Sequence, residues 1–193
     1  MKKKSQLFQN PLLERLTRTH IAVPITLLLL YAAGLMYWSV YTVGHSITLG
    51  LSLFFTGLLT FTLAEYLMHR FVFHMRTTSS FRANIQYKFH GVHHDFPKEK
   101  DRLAMPPLVS ITLATILLGF FNLLIGDYVF SFLPGFLFGY ASYLFVHYIL
   151  HAYPPPTNVF RALWINHSIH HYKSPDKRFG VSSALWDRVF GTF

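Results

Sequence analysis

Three long stretches of this chain contain no Asp, Glu, Lys or Arg, and they restrict its fold more than any other feature. They are residues 19–64, 103–126 and 128–160. A helix needs about 20 mostly apolar residues to cross the hydrocarbon core of a bilayer, so each stretch is long enough for a span. The first has room for two, because a polar turn at residues 42–46 interrupts it. We therefore predict four transmembrane helices, which are placed near residues 21–42, 47–68, 105–126 and 128–150.

The charged residues are concentrated in three segments. All 17 Lys and Arg residues lie within residues 2–18, 70–102 and 161–188. With four spans, these segments fall on one side of the membrane, and the short loops at 42–46 and 126–127 fall on the other. Cytoplasmic loops carry the excess of Lys and Arg, so both termini and the central loop are predicted to be cytoplasmic. This orientation accounts for the net charge of +9, and no nucleic-acid partner is expected.

The predicted fold is an all-α integral membrane protein that forms a single domain over residues 1–193. An interfacial N-terminal segment, residues 1–20, precedes the four transmembrane helices. A cytoplasmic helical cap is formed by residues 69–104 and 151–193, with a helix predicted at 158–173. Such a multi-pass protein is expected in the endoplasmic reticulum of a eukaryote or the inner membrane of a bacterium. The chain contains no cysteine, which excludes disulfides and thiolate metal ligands.

Ten of the twelve histidines fall into four groups, all on the predicted cytoplasmic side. The groups are His69 and His74; His90, His93 and His94; His147 and His151; and His167, His170 and His171. Two groups repeat the pattern His-x-x-His-His, and residues three and four apart share a helix face, so each triplet can aim three imidazoles at one small volume. Imidazole is the commonest metal ligand, and ten exceed the needs of one four-coordinate ion. We predict a dimetal site with about five nitrogens for each ion.

The local structure that would carry these side chains is predictable in two places. Residues 79–94 are expected to form a helix that begins with Ser79 or Ser80 as its N-cap. His69 and His74 are five residues apart, which is about 140° around a regular helix. The two rings cannot reach one ion unless the helix ends or bulges between them. We predict such a distortion, or a different ion for each ring.

Other roles for the histidines explain less of the pattern. A closed structural zinc site takes four ligands and usually includes thiolates. A bis-histidine haem between the second and fourth spans would leave most of the triplet histidines without a role. The alternative of a different class is a non-catalytic membrane protein that binds metal or lipid. A metal carrier would be expected to have ionisable residues along its spans, which the first and third spans lack.

Several motifs together resemble those of the membrane-bound fatty acid hydroxylase superfamily, which includes sterol desaturases, sphingolipid hydroxylases and carotenoid hydroxylases. The resemblance runs from about residue 65 to residue 193. The motifs are Glu65-Tyr-Leu-Met-His69-Arg70-Phe-Val-Phe-His74, His90-Gly-Val-His93-His94, Arg102-Leu-Ala-Met-Pro106-Pro107, His147-Tyr-Ile-Leu-His151, His167-Ser-Ile-His170-His171 and Phe179-Gly-Val-Ser-Ser-Ala-Leu-Trp186-Asp187. Within the superfamily, the Arg102 loop, the His147 pair and the Phe179 tail are most similar to the fatty acid 2-hydroxylases.

The resemblance implies an oxidoreductase, a monooxygenase that hydroxylates a lipid acyl chain at C2 of a fatty acid or of a sphingolipid N-acyl group. The ten histidines would hold two metal ions, expected to be iron, with zinc as an alternative in isolated protein, and O2 would be the co-substrate. A sterol or carotenoid hydroxylase or desaturase is the alternative within the superfamily. Electrons would come from a separate cytochrome-b-type protein, ferredoxin or reductase. The sequence has no His-Pro-Gly-Gly haem motif, and the segment before the first span is too short for such a domain.

Some neighbouring side chains are candidates for supporting roles. Glu65 and Asp187 are predicted to accept the second N–H of metal-bound imidazoles, with a helix-end charge or surface ion pair as the alternative. Leu144 stands where the 2-hydroxylases often have Asp. Aromatic residues beside the motifs are candidates to line the substrate pocket: Tyr66, Tyr148, Tyr172 and Trp186. Three basic residues are candidates to attract an anionic headgroup or an acidic electron donor, although a solvated positive-inside charge is the favoured explanation for each: Lys88, Arg102 and Lys173.

Overall fold

The computed structural model describes residues 5–193, and all regular structure in that part of the chain is helical. The α-helices there are α1 (Pro11–Leu16), α2 (Ala22–Trp38), α3 (Ile47–Leu67), α4 (Ser80–Gln86), α5 (Val92–Asp95), α6 (Pro107–Ile125), α7 (Val129–Ala152), α8 (Arg161–Tyr172) and α9 (Leu185–Val189). Wider π-helical turns continue three of them: Ser39–Val43, Met68–Phe73 and Tyr87–Gly91. Short 3₁₀ turns lie at Lys100–Arg102 and Gly126–Tyr128.

Helices α2, α3, α6 and α7 lie within a few residues of the positions predicted for the spans. By length and apolar composition there are three candidate membrane-spanning stretches, Ala22–Val43, Ile47–Phe73 and Lys100–Ala152. The third contains both α6 and α7, which are separated by the turn Gly126–Tyr128. The chain is therefore a membrane protein with at least three apolar helical stretches.

Residues with special backbone geometry end the apolar helices where the sequence predicts breaks. Gly44 follows the π-helical end of the first stretch and has a left-handed φ of 82°. Gly126 ends α6 with a φ of 58°. Glycine adopts this conformation without the steric cost that a Cβ brings, so it suits both turns. Pro107 occupies the first turn of α6, where the missing N–H leaves no intrahelical bond unmade.

The chain forms two compact units. One consists of the described part of Met1–Arg18 together with Leu63–Leu103 and Val146–Phe193, and the other of Thr19–Thr62 and Ala104–Phe145. By sequence, the second unit has a single charged residue, Asp127. Of the described residues, the first unit contains all 14 Lys and Arg and all ten grouped histidines.

Helices α3 and α7 approach closely at two glycines in the second unit. A Cβ on Gly57 would lie 2.0 Å from the carbonyl oxygen of Phe132, and a Cβ on Gly135 would lie 1.8 Å from that of Phe54. Neither distance leaves room for a methyl group. The absence of side chains at these positions therefore allows the two backbones to touch, as small residues commonly do between membrane helices.

In the first unit, Arg102 is a buried ion-pair residue and not the exposed cation that the sequence indicated. Its side chain is 4% exposed and is paired with Glu14 and with Glu99, whose Oε2 lies 3.3 Å from Nε. Its Nη1 donates to Thr17 Oγ1 at 2.8 Å. With all of its charged partners inside the protein, Arg102 is not available to a headgroup or an electron donor, and it instead attaches the loop at residues 99–103 to the N-terminal segment.

Candidate metal centre

The ten histidines singled out from the sequence meet in the first unit as two groups of five. In each group the potential ligand nitrogens all lie within 4.8 Å of one another. The His69 group consists of His69, His74, His90, His94 and His170. The His147 group consists of His93, His147, His151, His167 and His171. The predicted convergence, with five nitrogens for each site, is therefore present in the geometry.

The two triplets are interleaved between the groups, contrary to the prediction that each would aim at one volume. In the first triplet, His90 and His94 join the His69 group, whereas His93 joins the His147 group. The second triplet divides in the opposite sense, and only its middle member, His170, joins the His69 group. Residues four apart lie almost in line along a helix, while the residue three along is displaced to the other side. The groups consequently adjoin, and the rings of His94 and His171 stack 4.2 Å apart.

A π-helical bulge brings His69 and His74 together, as their spacing required. The segment Met68–Phe73 is π-helical, and the His74 N–H donates to the His69 carbonyl at 3.1 Å, a bond across five residues. The ring centroids are 5.1 Å apart. The wider turn rotates the two side chains onto one face, which a regular helix would not do. A second π-helical segment, Tyr87–Gly91, precedes α5 and carries His90.

Backbone carbonyls fix the ring orientation of two members of the His69 group. His69 Nδ1 donates to the Phe179 carbonyl at 2.5 Å, and His170 Nδ1 donates to the Lys177 carbonyl at 2.7 Å. A carbonyl oxygen can only accept, so Nδ1 holds the proton in each neutral ring and Nε2 presents its lone pair. These contacts could not be predicted from the sequence, because backbone acceptors leave no mark in the residue pattern.

The Nε2 atoms of the His69 group lie close together in the protein interior, an arrangement that a bound cation would stabilise. In the His69 group, Nε2 of His90 lies 3.0 Å from Nε2 of His69 and 3.0 Å from Nε2 of His94. Nε2 of His74 and of His170 is buried with no hydrogen-bond partner among the described residues. Buried polar atoms without partners are costly, and convergent lone pairs repel one another. A metal ion among them removes both penalties, so the residues fit the metal that the sequence predicts.

The His147 group has the same close spacing. Nε2 of His93 lies 3.0 Å from Nε2 of His147 and 3.2 Å from Nε2 of His171. Nε2 of His167 lies 2.7 Å from Nε2 of His151. Nitrogen donors at this spacing, with no thiolate in the chain, are suited to iron or zinc and unsuited to magnesium or calcium.

Burial keeps these imidazoles in the neutral form that binds metal. Desolvation, followed by the neighbouring His170, lowers the pKa of His74 to about 3 and that of His94 to about 4. Desolvation also holds the pKa of His90, His93 and His167 well below its usual value. Only a deprotonated imidazole nitrogen can coordinate, so these rings are ready for metal at neutral pH without first releasing protons.

Glu65 and Asp187 act on the backbone of residues 179–182, which differs from the predicted contact with the rings. Asp187 accepts from the N–H groups of Phe179 and Gly180 at 2.9 and 2.8 Å. Glu65 accepts from the next two N–H groups, of residues 181 and 182, both at 2.8 Å. Four consecutive amides are thereby held, and one of these residues supplies the carbonyl that orients His69. A Cβ on Gly180 would lie 2.1 Å from the Ser183 carbonyl, so only glycine fits there.

The aromatic candidates occupy different environments. Tyr66 is fully buried, and its hydroxyl lies 3.0 Å from Thr192 Oγ1. Tyr172 is 70% exposed, although its ring is 5.9 Å from that of His171. Tyr148 packs against Tyr153, and Trp186 stacks on Phe190. Tyr172 therefore contacts a member of the His147 group, and Tyr66 contacts Phe179 of the loop that supports His69, with 6.1 Å between their ring centroids.

The remaining candidates divide by exposure. Lys88 and Lys173 are exposed, and Lys88 Nζ lies 5.1 Å from the centre of the Phe8 ring. These two cations remain accessible to a charged partner, in contrast to Arg102. Leu144 is 2% exposed and belongs to the apolar interior.

The sequence and the fold both match known proteins. The fatty acid hydroxylase family model matches residues 54–192. A dihydroceramide fatty acyl 2-hydroxylase of Arabidopsis thaliana is 41% identical over 70% of this chain, which corresponds to 58% of that protein. A ceramide very long chain fatty acid hydroxylase of Schizosaccharomyces pombe is 35% identical over 96% of this chain and 54% of its own length. The fatty acid 2-hydroxylase of Rattus norvegicus is 34% identical over 74% of this chain and 39% of its own length.

A solved structure described as full-length scs7p, with only the hydroxylase domain visible, matches with a TM-score of 0.89 and 34% identity. The match covers all of this chain and 73% of that one. The chain spans little more than half the length of the first two curated relatives. The family match covers the segments that carry all ten histidines and the loop that supports them. The chain belongs to the fatty acid hydroxylase family.

Proposed function

We propose that this protein is a dimetal monooxygenase that hydroxylates a lipid acyl chain at C2 of a fatty acid or of a sphingolipid N-acyl group. It uses O2 and electrons from a separate donor protein. The observation that carries the proposal is the pair of adjoining five-histidine groups, whose ligand nitrogens converge within 4.8 Å. The relatives named dihydroceramide fatty acyl 2-hydroxylase and fatty acid 2-hydroxylase support position C2, and the one named ceramide very long chain fatty acid hydroxylase supports the substrate class.

The ten histidines are the proposed ligands, five for each of two iron ions. Iron bound here would supply the activation of O2 and the oxidation of an unreactive C–H bond, chemistry that no protein side chain provides alone. The chain's own contribution is to hold neutral imidazoles in fixed directions. Helices α7 and α8 and the segments around His69 and His90 supply the rings from four separate parts of the chain.

The supporting residues keep those ring directions constant. Glu65 and Asp187 hold the amides of residues 179–182, and the Phe179 carbonyl holds the proton on Nδ1 of His69. The same arrangement at the Lys177 carbonyl fixes His170. Contacts beyond the ligands commonly change metal affinity or activity by about 10- to 100-fold when they are removed. These residues are therefore part of the proposed metal centre although they would not touch the ions.

The proposed topology has four membrane spans, formed by α2, α3, α6 and α7, with the histidine-bearing unit on the cytoplasmic side. All 14 Lys and Arg at positions 5–193 lie in the unit that carries the histidines, which supports this orientation. The glycine-initiated turn Gly126–Tyr128 supports a reversal between α6 and α7. The membrane is the endoplasmic reticulum in a eukaryotic cell or the inner membrane in a bacterial one. An acyl chain could then remain in lipid while its polar head meets the cytoplasmic face.

The test compares three forms of the full-length protein, expressed in cells with a low background of 2-hydroxy lipids. The wild type is expected to purify with about two metal ions per chain and to raise the content of 2-hydroxy acyl chains. His93→Ala is expected to lose metal from the His147 group and to form no product, because Nε2 of His93 lies 3.0 Å from Nε2 of His147 in that group. His20→Ala is the matched control, since His20 is exposed and belongs to neither group.

Two results would overturn the proposal. One is a wild-type protein that binds no metal under conditions in which it is folded. The other is a metal-loaded wild type that changes sterols or carotenoids and leaves 2-hydroxy acyl chains unaltered, which would assign the reaction to another branch of the superfamily.

A further inference from the structure

Arg178 has a backbone conformation that is unusual for its residue type. Among the described non-glycine residues it alone has a positive φ, of 59°. A side chain with a Cβ is strained in this left-handed region, and such a conformation persists only where the surroundings hold it. Three contacts in the first unit do so here.

The three contacts attach Arg178 to two parts of the structure. Its backbone N–H donates to the Thr192 carbonyl at 2.8 Å. Its Nη1 donates to Asn166 Oδ1 on α8 at 2.5 Å. The guanidinium carbon also lies 4.2 Å from the centre of the Phe193 ring, within the range of a cation–π contact. The side chain is thus anchored to the helix that carries His170 and to Phe193, and the backbone of Arg178 is anchored to Thr192.

The residues on either side of Arg178 explain what the strained turn achieves. Lys177 supplies the carbonyl that accepts from His170 Nδ1, and Phe179 supplies the carbonyl that accepts from His69 Nδ1. These two rings belong to the same five-histidine group. Carbonyls of residues two apart point in similar directions in extended backbone, and the left-handed residue between them redirects one relative to the other. One turn therefore orients two imidazoles that come from distant parts of the chain.

We propose that Arg178 is a positioning residue, whose anchored side chain holds the left-handed turn that orients His69 and His170 and thereby sets the metal affinity of the His69 group. The inference rests on the proposed metal-binding function and deepens it. Arg178 touches neither ligand nitrogen and is assigned no chemical step. Its effect is confined to one of the two groups, because both oriented rings lie in that group.

The experiment measures Co²⁺ binding to the full-length, metal-stripped protein by its visible absorption and by competition with a chelator. Arg178→Ala is expected to weaken one of the two sites by about 10- to 100-fold and to leave the other unchanged. Arg188→Ala is the matched control. Its guanidinium also lies near the Phe193 ring, at 5.0 Å, yet among the described residues no hydrogen bond or ion pair joins it to the 177–179 turn. That variant is expected to bind Co²⁺ as the wild type does.

A second variant separates the anchors from the backbone strain. Arg178→Gly relieves the left-handed strain and removes the same side-chain anchors. If the anchors hold the turn against this strain, glycine weakens the site less than alanine does. Alanine binding Co²⁺ as tightly as the wild type, or glycine weakening the site as much as alanine does, would refute the proposal. Circular dichroism and the unfolding midpoint of the metal-free proteins identify any variant that has simply failed to fold.

Double variants assign the weakened site. His74→Ala impairs the His69 group directly. Adding Arg178→Ala to it is expected to cause little further loss of Co²⁺ affinity, because both changes act on one site. Combined with His93→Ala, which impairs the other group, it is expected to weaken the remaining site. The inference would be overturned if Arg178→Ala weakened Co²⁺ binding in the His74→Ala protein and had no effect in the His93→Ala protein. A wild type without two Co²⁺ sites would instead contradict the proposed function, so the two failures are distinguishable.

Discussion

Replacing Asp187 by Asn tests whether a buried carboxylate holds the loop beside the His69 group. Asp187 is 1% exposed. It accepts three hydrogen bonds, from the N–H groups of Phe179 and Gly180 and from Thr192 Oγ1, at 2.8–2.9 Å. An Asn side chain of the same shape can still accept two of them through its oxygen. Its NH2 group would then face the N–H of Gly180, and two donors would meet without an acceptor.

The magnitude follows from these three bonds. A hydrogen bond to a charged group contributes about 1.5–3 kcal/mol and a neutral one about 0.5–1.5 kcal/mol, so each of the two retained bonds loses about 1 kcal/mol. A buried donor left without an acceptor costs about 1–3 kcal/mol. We therefore expect Asp187→Asn to lower the free energy of unfolding by about 3–5 kcal/mol. For a protein of this size, that corresponds to a fall of about 6–20 °C in the unfolding midpoint.

The assay is thermal unfolding of metal-free protein in detergent, followed by helical circular dichroism. Asp176→Asn is the matched control, because Asp176 is exposed in the segment just before the same loop. Surface substitutions usually change stability by less than about 0.5 kcal/mol, so its midpoint should move by no more than about 2 °C. A shift of that small size in Asp187→Asn would refute the reasoning, since it would mean that the three bonds do not hold the loop.

Two further predictions concern pH and helix packing. Because the pKa values of His74 and His94 in the folded protein, about 3 and about 4, lie below the ordinary 6.5, the unfolded chain binds protons first as the pH falls. The stability of the metal-free protein and the amount of metal that the protein retains should therefore be highest above about pH 6.5 and fall towards pH 4. Dialysis at a series of pH values measures the retained metal. An amount that stays constant over that range would contradict the assignment of these histidines as ligands. Gly135→Ala should reduce the yield of folded protein in detergent gel filtration, since the new methyl group would lie 1.8 Å from the Phe54 carbonyl. Gly119→Ala, whose Cβ would meet nothing within 4 Å, should be tolerated, and equal yields for both would show that α3 and α7 do not pack at this glycine.

Features that depend on chain chemistry alone were predictable from the sequence. The apolar helices α2, α3, α6 and α7 could be placed because a charge-free stretch of sufficient length has few alternatives to a membrane helix. The helix at Ser80–Gln86 begins after Ser79, as the capping rule predicted, and the Ser79 side chain accepts from Arg82 N–H. The bulge near His69 followed from angular spacing, since a regular helix could not bring His74 onto the same face.

Features that depend on tertiary contacts were not predictable. Whether His93 joins His90 or His147 depends on where the other helices lie, and the spacing within one triplet allows both arrangements. Glu65 was expected to contact an imidazole, but it instead accepts hydrogen bonds from the backbone N–H groups of residues 181 and 182. Arg178 gave no signal, because nothing in a local sequence marks an arginine that distant contacts hold at positive φ.

The interleaving of the triplets means that the two proposed ions share a scaffold. His93 and His94 are adjacent on the four-residue helix α5, yet they face different groups, and His170 and His171 on α8 do the same. Movement of either helix would therefore displace a proposed ligand of each ion, so a distortion of α5 or α8 would alter both sites at once. A contact that acts on a single ring, such as a backbone carbonyl on Nδ1, can instead adjust one site and leave the other as it is.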